Sequence, residues 1–320
     1  MSFSGLHVTA DPDALLEAGW RKLPARYRVP ERAPSLAEAQ AYCRQLAESH
    51  YENFHVATWF LPKRLRPHFQ SIYAYCRISD DLGDEVGDAR QSLALLDFWG
   101  RELDACYRGE ARHPVFVALR ETIRVCGIPR QPFADLLIAF RQDQTVQRYA
   151  TMQQLLEYCR YSANPVGRLV LYACGYQDEE LFLLSDFTCT GLQLANFWQD
   201  VREDYDRNRI YLPMADMDRF QVTEQQIRMR DFTPQFRSLM EYEVGYARNL
   251  FTQGRPLLQR VDGELAVDLA LFTRGGEEIL RAIERQDYNV LRARPSISKL
   301  RKAGLLVRAL AGKLAARRAA

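Results

Sequence analysis

Apolar residues recur at three- and four-residue spacing through positions 64–84, 114–126, 132–143, 152–174, 179–204 and 265–291. That period puts side chains on one face of an α-helix. Strand-like two-residue alternation bounded by Asn-Gly or Asp-Gly turns is absent, and Asp262-Gly263 is an isolated turn signal. Ser35/Glu38, Thr151/Gln154 and Thr223/Gln226 each pair a hydroxyl with a Glu or Gln three residues on, the capping box that satisfies first-turn N–H groups. Prolines at 62, 67, 114, 129, 213, 234 and 295 punctuate segments without marking a linker. The pattern predicts an all-α chain, one domain over residues 34–295 with roughly ten to a dozen helices. Residues 1–33, rich in Pro, Arg and Asp, read as a loose lead-in, and 296–320 as a basic tail.

Composition narrows the function classes. The 320 residues are 47% hydrophobic, enough for a sizeable core. A net charge of +2 gives no global field suited to nucleic acid. Seven cysteines, an odd number with no CxxC pair, lie inside helical patterns and read as reduced core thiols of a cytoplasmic protein. The first residues lack a basic start followed by an apolar stretch, so no signal peptide is expected. No run of about 18 apolar residues predicts a membrane span.

Two acidic motifs carry the chemistry. In Arg77-Ile-Ser-Asp80-Asp81-Leu-Gly-Asp84-Glu85, the side chains of Asp80 and Asp84 lie one helical turn apart on one face, ~6 Å along the axis. Arg77 and Tyr73 continue that face upward. In Gln193-Leu-Ala-Asn196-Phe-Trp-Gln-Asp200-Val-Arg-Glu-Asp204, three oxygen donors stand at i, i+4 and i+8 among apolar and aromatic neighbours. Like charges at this spacing repel, and a dication reverses the sign. Donors that are all hard oxygens select magnesium over zinc or copper. A single DxxxD is more often a solvated acidic face; two such ladders in apolar context are not.

These motifs resemble those of the squalene/phytoene synthase family. Gln193-LA-Asn196-FWQ-Asp200-VRE-Asp204-YDRN-Arg209-I-Tyr211-L-Pro213 fits one family signature almost position by position, and Tyr158-CRYSANPV-Gly167 looks like the other. The likeness runs from about His50 to Arg294. It implies an isoprenoid synthase fold around a central cavity, a large isoprenoid diphosphate as substrate, and two or three magnesium ions. It implies that Asp80, Asp84, Asn196, Asp200 and Asp204 hold the metal, with Asp81 in the same motif. Arg77 and Gln193 fall near the diphosphate, and Tyr73 with Tyr158 or Tyr161 near the reacting carbons. Arg160, Arg168 and Arg209 are further guanidiniums for a departing diphosphate. His50, Asn53, Phe54 and Tyr211 join the expected substrate contacts.

Three segments, beginning at His50, Tyr158 and Asn196, are most similar to the family's hydroxysqualene-forming branch, which ionises presqualene diphosphate and traps the cation with water. The alternatives are head-to-head condensation of two prenyl diphosphates, and a non-catalytic assembly factor that kept the fold. The chain departs from the family pattern at Tyr51 and Asn53, at Ala163-Asn164-Pro165, and at Gln199, where a charged residue is usual. Asn164-Pro165 has two readings: a kink whose amide and freed carbonyl hold the attacking water, or a packing kink with a satisfied Asn. Lys63, Arg64 and Arg66 read as a solvated basic turn or a greeting for the substrate. The tail has seven basic residues and no acid, with Leu300, Ala303, Leu306, Val307, Leu310 and Leu314 on one face. It suits either peripheral contact with the inner face of an anionic membrane or a last helix packed on the domain.

Overall fold

The computed structural model describes residues 11–49 and 62–298, together with Arg301, Gly304, Val307, Ala311 and Gly312 of the tail. Fourteen α-helices form in the continuous stretches: α1 Pro12–Trp20, α2 Leu36–Ser49, α3 Arg66–Asp84, α4 Ala89–Arg108, α5 Pro114–Cys126, α6 Gln131–Gln142, α7 Met152–Ser162, α8 Asn164–Ala173, α9 Glu179–Gln199, α10 Val201–Asp206, α11 Met214–Arg219, α12 Glu224–Met229, α13 Pro234–Gly254 and α14 Gly263–Arg285. No strand forms among the described residues, where pairing of the extended kind is limited to an isolated parallel bridge between Arg148 and Ile210. The helices fall into two compact units, one drawn from Met1–His55 and Arg66–Thr145, the other from Val56–Leu65 and Val146–Ala320.

The first unit is built on α3, which packs against α2, α5 and α4. Its core is aromatic. Tyr75 donates to the Phe133 carbonyl at 2.7 Å and meets Trp99, Phe116 and Phe133 with ring centroids 6.3, 5.9 and 5.0 Å away. The lead-in is more ordered than its composition suggests. It contains α1 and a 3-10 turn at Ala25–Tyr27, and it buries Trp20 and Tyr27. Two large aromatic side chains outweigh the polar character around them.

In the second unit α9 is the axis, packed against α8, α13 and α14. It buries residues on several of its faces, as a helix surrounded by others does, and leaves Asn196 exposed. Close approach needs glycine at the crossings. A Cβ on Gly254 would fall on Thr188 Oγ1 and within 3.0 Å of the Leu184 carbonyl oxygen; one on Gly167 would fall on Ser185 Oγ and 2.5 Å from Cys189 Sγ.

Local signals placed the helix starts well. Ser35 and Glu38 bond reciprocally, as do Thr223 and Gln226. The third expected box is half formed: Thr151 caps Gln154, but the Gln154 side chain takes the Ala150 N–H instead. The expected helix over 152–174 divides at Ala163 (φ −113°), and Pro165 sits in the first turn of α8. There a missing N–H leaves no donor unpaired, so the proline opens a helix where the periodicity predicted a kink inside one. Arg301, Gly304, Val307, Ala311 and Gly312 of the tail are helical, and Arg301 and Gly312 meet α14. Arg301 Nη1 pairs with Glu278 Oε2 at 2.9 Å, and Gly312 approaches Val267. Eleven residues separate each pair, so the tail runs antiparallel to α14.

Candidate active site

On α3, Asp80 and Asp84 share a face as expected. Asp80 has its pKa pushed up to about 6, first by burial and then by the Asp84 charge, against the opposing pull of Arg77. Arg77 Nη1 stands 3.7 Å from Asp80 Oδ2. One residue on, and about 100° around the helix, Asp81 is not grouped with that pair. It is buried, accepts from the Tyr27 hydroxyl at 2.5 Å through Oδ2, and accepts from Arg77 Nη2 through Oδ1. Burial and the adjacent Asp81 carboxylate raise Tyr27 to about 12. Asp81 therefore anchors the guanidinium that reaches toward Asp80. Tyr73, half-buried on the same helix, is also raised, mainly by burial.

The second ladder differs from the straight helix the spacing predicts. The helix over 179–204 breaks at Asp200 (φ −107°, ψ 13°), between α9 and α10. The i, i+4 register survives the break, because Asp200 N–H donates to the Asn196 carbonyl at 3.0 Å and Asp204 N–H to the Asp200 carbonyl at 2.8 Å. Asn196 is exposed and Gln193 and Asp200 are half-exposed on a helix otherwise largely buried. The Asp204 carboxyl is pushed up to about 7, by burial first and then by Asp200, with Arg209 opposing. Arg209 is held at the ladder by its own N–H, which donates to the Asp204 carbonyl at 2.8 Å. Asp200 carries a bidentate partner that the sequence did not suggest, Arg294.

Tyr158 and Tyr211 come together with two rings not singled out from sequence alone as a group. Phe197 and Tyr211 stack at 3.7 Å and 8° between planes, Tyr149 lies 5.7 Å from Tyr211, and Tyr158 lies 5.4–6.2 Å from the other three. The segment carrying Tyr211 is fixed beside the one carrying Tyr149 by Ile210 N–H donating to the Gln147 carbonyl at 2.9 Å and by Arg148, which forks onto Glu224. Tyr149 was missed because it lies in an irregular stretch with no periodic pattern. Tyr161 is partly exposed, with the Arg160 guanidinium 5.6 Å over its ring.

Asn164 is buried, and its Oδ1 accepts from Thr190 Oγ1 at 2.9 Å; the side-chain oxygen is thus engaged across the α8–α9 contact. Arg160 is exposed and pairs with Glu157, and Arg168 forks onto Asp186. These partners, Glu157 and Asp186, are not members of the acidic ladders. Lys63 and Arg64 are exposed in a turn before α3. His50, Asn53 and Phe54 lie outside the described residues.

The donor chemistry fits magnesium. Each motif holds two carboxylates close enough for one to raise the other's pKa, and every donor is a hard oxygen. Among the described residues no three His, Cys, Asp or Glu side chains close on one point. An ion that keeps waters and shares a substrate phosphate uses one or two carboxylates.

Helices carrying paired, partly desolvated carboxylates with arginines beside them define an all-α class suited to a divalent metal and an anionic ligand. Comparison with known proteins narrows the class. The squalene/phytoene synthase family matches over residues 47–301, and the chain belongs to that family. Its members process prenyl diphosphates and use a divalent metal. The match takes in parts of both units. The chain is 33% identical over 239 residues to the hydroxysqualene synthase of Rhodopseudomonas palustris, covering 74% of this chain and 80% of that one. It is 30% identical over 293 residues to the 15-cis-phytoene synthase of Synechococcus elongatus, covering 88% and 94%. Among solved structures, squalene synthase HpnC from Alicyclobacillus acidocaldarius superposes with a TM-score of 0.77 at 46% identity, covering 85% of this chain and 99% of that one.

Proposed function

We infer that the chain converts presqualene diphosphate and water to hydroxysqualene and diphosphate. The observation that carries this reading is the 33% identity with a hydroxysqualene synthase over 74% of the chain, with the 46% identity to squalene synthase HpnC over 85% of the chain in support of the branch. Asp80 with Asp84, and Asn196 with Asp200 and Asp204, are the residues that would hold magnesium. Magnesium, when bound, supplies Lewis-acid stabilisation of the leaving diphosphate. Arg77, aimed by Asp81, adds a fixed positive charge where negative charge develops. Tyr158, Phe197, Tyr211 and Tyr149 offer a cluster of ring faces, and such faces stabilise a carbocation while excluding stray water.

A second reading, head-to-head condensation of two prenyl diphosphates, is favoured by the longer match to 15-cis-phytoene synthase. Mass spectrometry of products separates the two. With magnesium, presqualene diphosphate should give hydroxysqualene. No conversion of it, alongside a hydrocarbon formed from farnesyl or geranylgeranyl diphosphate, would establish the second reading instead. The assembly-factor alternative predicts no product from any of the three.

A further inference from the structure

The chain beyond α14 turns on two consecutive residues with left-handed backbone, Asp287 (φ 51°) and Tyr288 (φ 64°). Side chains with a Cβ disfavour that conformation, so something must hold it. Arg237 on α13 does. Its Nε donates to Asp287 Oδ1 at 2.7 Å, and its guanidinium lies 5.1 Å over the Tyr288 ring.

The chain then returns along the end of α9 and is fixed there twice. Arg202 Nη1 donates to the Arg292 carbonyl at 3.0 Å, and Gln199 Nε2 donates to the Pro295 carbonyl at 2.5 Å. Between these anchors Arg294 meets Asp200. Its Nη2 donates to Oδ2 at 3.0 Å and its Nε donates to Oδ1, while Nη2 also reaches Gln199 Oε1 at 3.1 Å. Gln199 is buried. Its neutral amide can accept from Arg294 with one atom and donate to Pro295 with the other; a carboxylate or a cation at this position could do only half of that.

Asp200 is the middle rung of the second ladder, and both of its oxygens face a planar guanidinium. A bidentate arginine matches the carboxylate in geometry and charge, so it competes for the lone pairs a metal ion needs. We propose that Arg294 is a positioning residue that holds the Asp200 carboxylate before the metal arrives and releases it when the ion binds. The inference rests on the magnesium reading of that ladder. Its consequence is that the ladder alone holds an ion weakly, and the ion stays when a diphosphate adds its own oxygens. Metal retention is thereby tied to substrate.

Manganese binding without diphosphate tests this, read as free Mn2+ by electron paramagnetic resonance. The background is Asp80→Asn/Asp84→Asn, which silences the first motif. In that background Arg294→Met should bind Mn2+ about two- to fivefold more tightly than the Arg294 parent, the scale of one partly exposed bidentate pair. Arg294→Lys, which keeps the charge and loses the fork, should fall between. Arg237→Ala, which frees the Asp287–Tyr288 turn, should shift affinity in the same direction and carries the test if Arg294→Met fails to fold. Equal, weaker or absent Mn2+ binding in the folded Arg294→Met protein overturns the proposal. Adding Asp200→Asn to the Arg294→Met protein separates the two layers. Loss of its Mn2+ binding secures the ladder as the metal site, whereas unchanged binding removes the magnesium reading of the ladder and the Arg294 role with it.

Discussion

The Tyr27 hydroxyl donates to Asp81 Oδ2 at 2.5 Å from a turn 54 residues earlier in the chain, and Arg77 Nη2 donates to the other oxygen. Asp81 is thus a buried anchor for Arg77, beside the acidic pair and separate from it. Tyr27→Phe leaves a buried carboxylate short of one donor and should cost about 1.5–3 kcal/mol of stability. Thermal and denaturant unfolding measure this. Magnesium dependence should be unchanged in Tyr27→Phe, so a raised metal requirement would mark Asp81 as a ligand after all.

Asp80→Asn, Asp84→Asn, Asp200→Asn and Asp204→Asn should each lower turnover by at least ~100-fold, the scale of losing one preorganised electrostatic contact. Without metal, Asp80→Asn and Asp204→Asn should melt no lower than the parent, because each removes a charge that burial and a neighbouring carboxylate disfavour. Near-normal turnover in any two of the four would defeat the ladder assignment.

Glu243 on α13 is wholly buried, and its backbone carbonyl accepts the Trp198 indole N–H at 3.1 Å. Its carboxyl pKa is raised to about 9 by burial first and then by the Asp216 carboxylate. A pKa raised by folding means the native state binds the proton more tightly than the unfolded chain. The contribution to stability is therefore complete below the unfolded value of 4.5 and is lost as pH rises toward 9. The loss has a limiting slope of ~1.4 kcal/mol per pH unit. Glu243→Gln should flatten the decline between pH 5 and 9 and raise the melting temperature at pH 8. Parallel curves for parent and variant across that range would show that Glu243 is ionised in the fold.

Asn164 and Thr190 join α8 to α9 through one buried hydrogen bond. Asn164→Ala and Thr190→Val should each lower stability by about 1–3 kcal/mol and be strongly non-additive in the double variant. The product of presqualene diphosphate should be the same in all three. A shift from hydroxysqualene toward hydrocarbons in Asn164→Ala, but not in Thr190→Val, would instead give Asn164 the water-holding role.

The tail lies on α14 through Arg301 and Gly312, and Glu278 receives Arg301 together with Arg281. Deleting residues 297–320 should lower the melting temperature by about 2–4 °C, the equivalent of roughly 1 kcal/mol in a chain of this size. Glu278→Gln should reproduce part of that loss and remove its salt dependence. An unchanged melting temperature with weakened binding to anionic vesicles would assign the tail to a membrane surface.

The sequence by itself determined the helical class, most helix starts and the two acidic ladders, because these depend on spacing along the chain. A three- or four-residue apolar period, a hydroxyl three residues before a glutamate, and carboxylates one turn apart all act through neighbours on one helix. Only the tertiary structure decided which members of each motif act together. Asp81 is turned by helical rotation toward Tyr27, a residue in a segment whose composition reads as loose. Asp200 sits at a helix break under Arg294, brought back from 94 residues away by a turn that Arg237 holds. Asn164 is engaged by Thr190 on the very next helix, and burial beside Asp216 pushes the Glu243 carboxyl up. Each of these depends on where a distant side chain is carried by the packing of helices, and no local periodicity in the sequence encodes that distance.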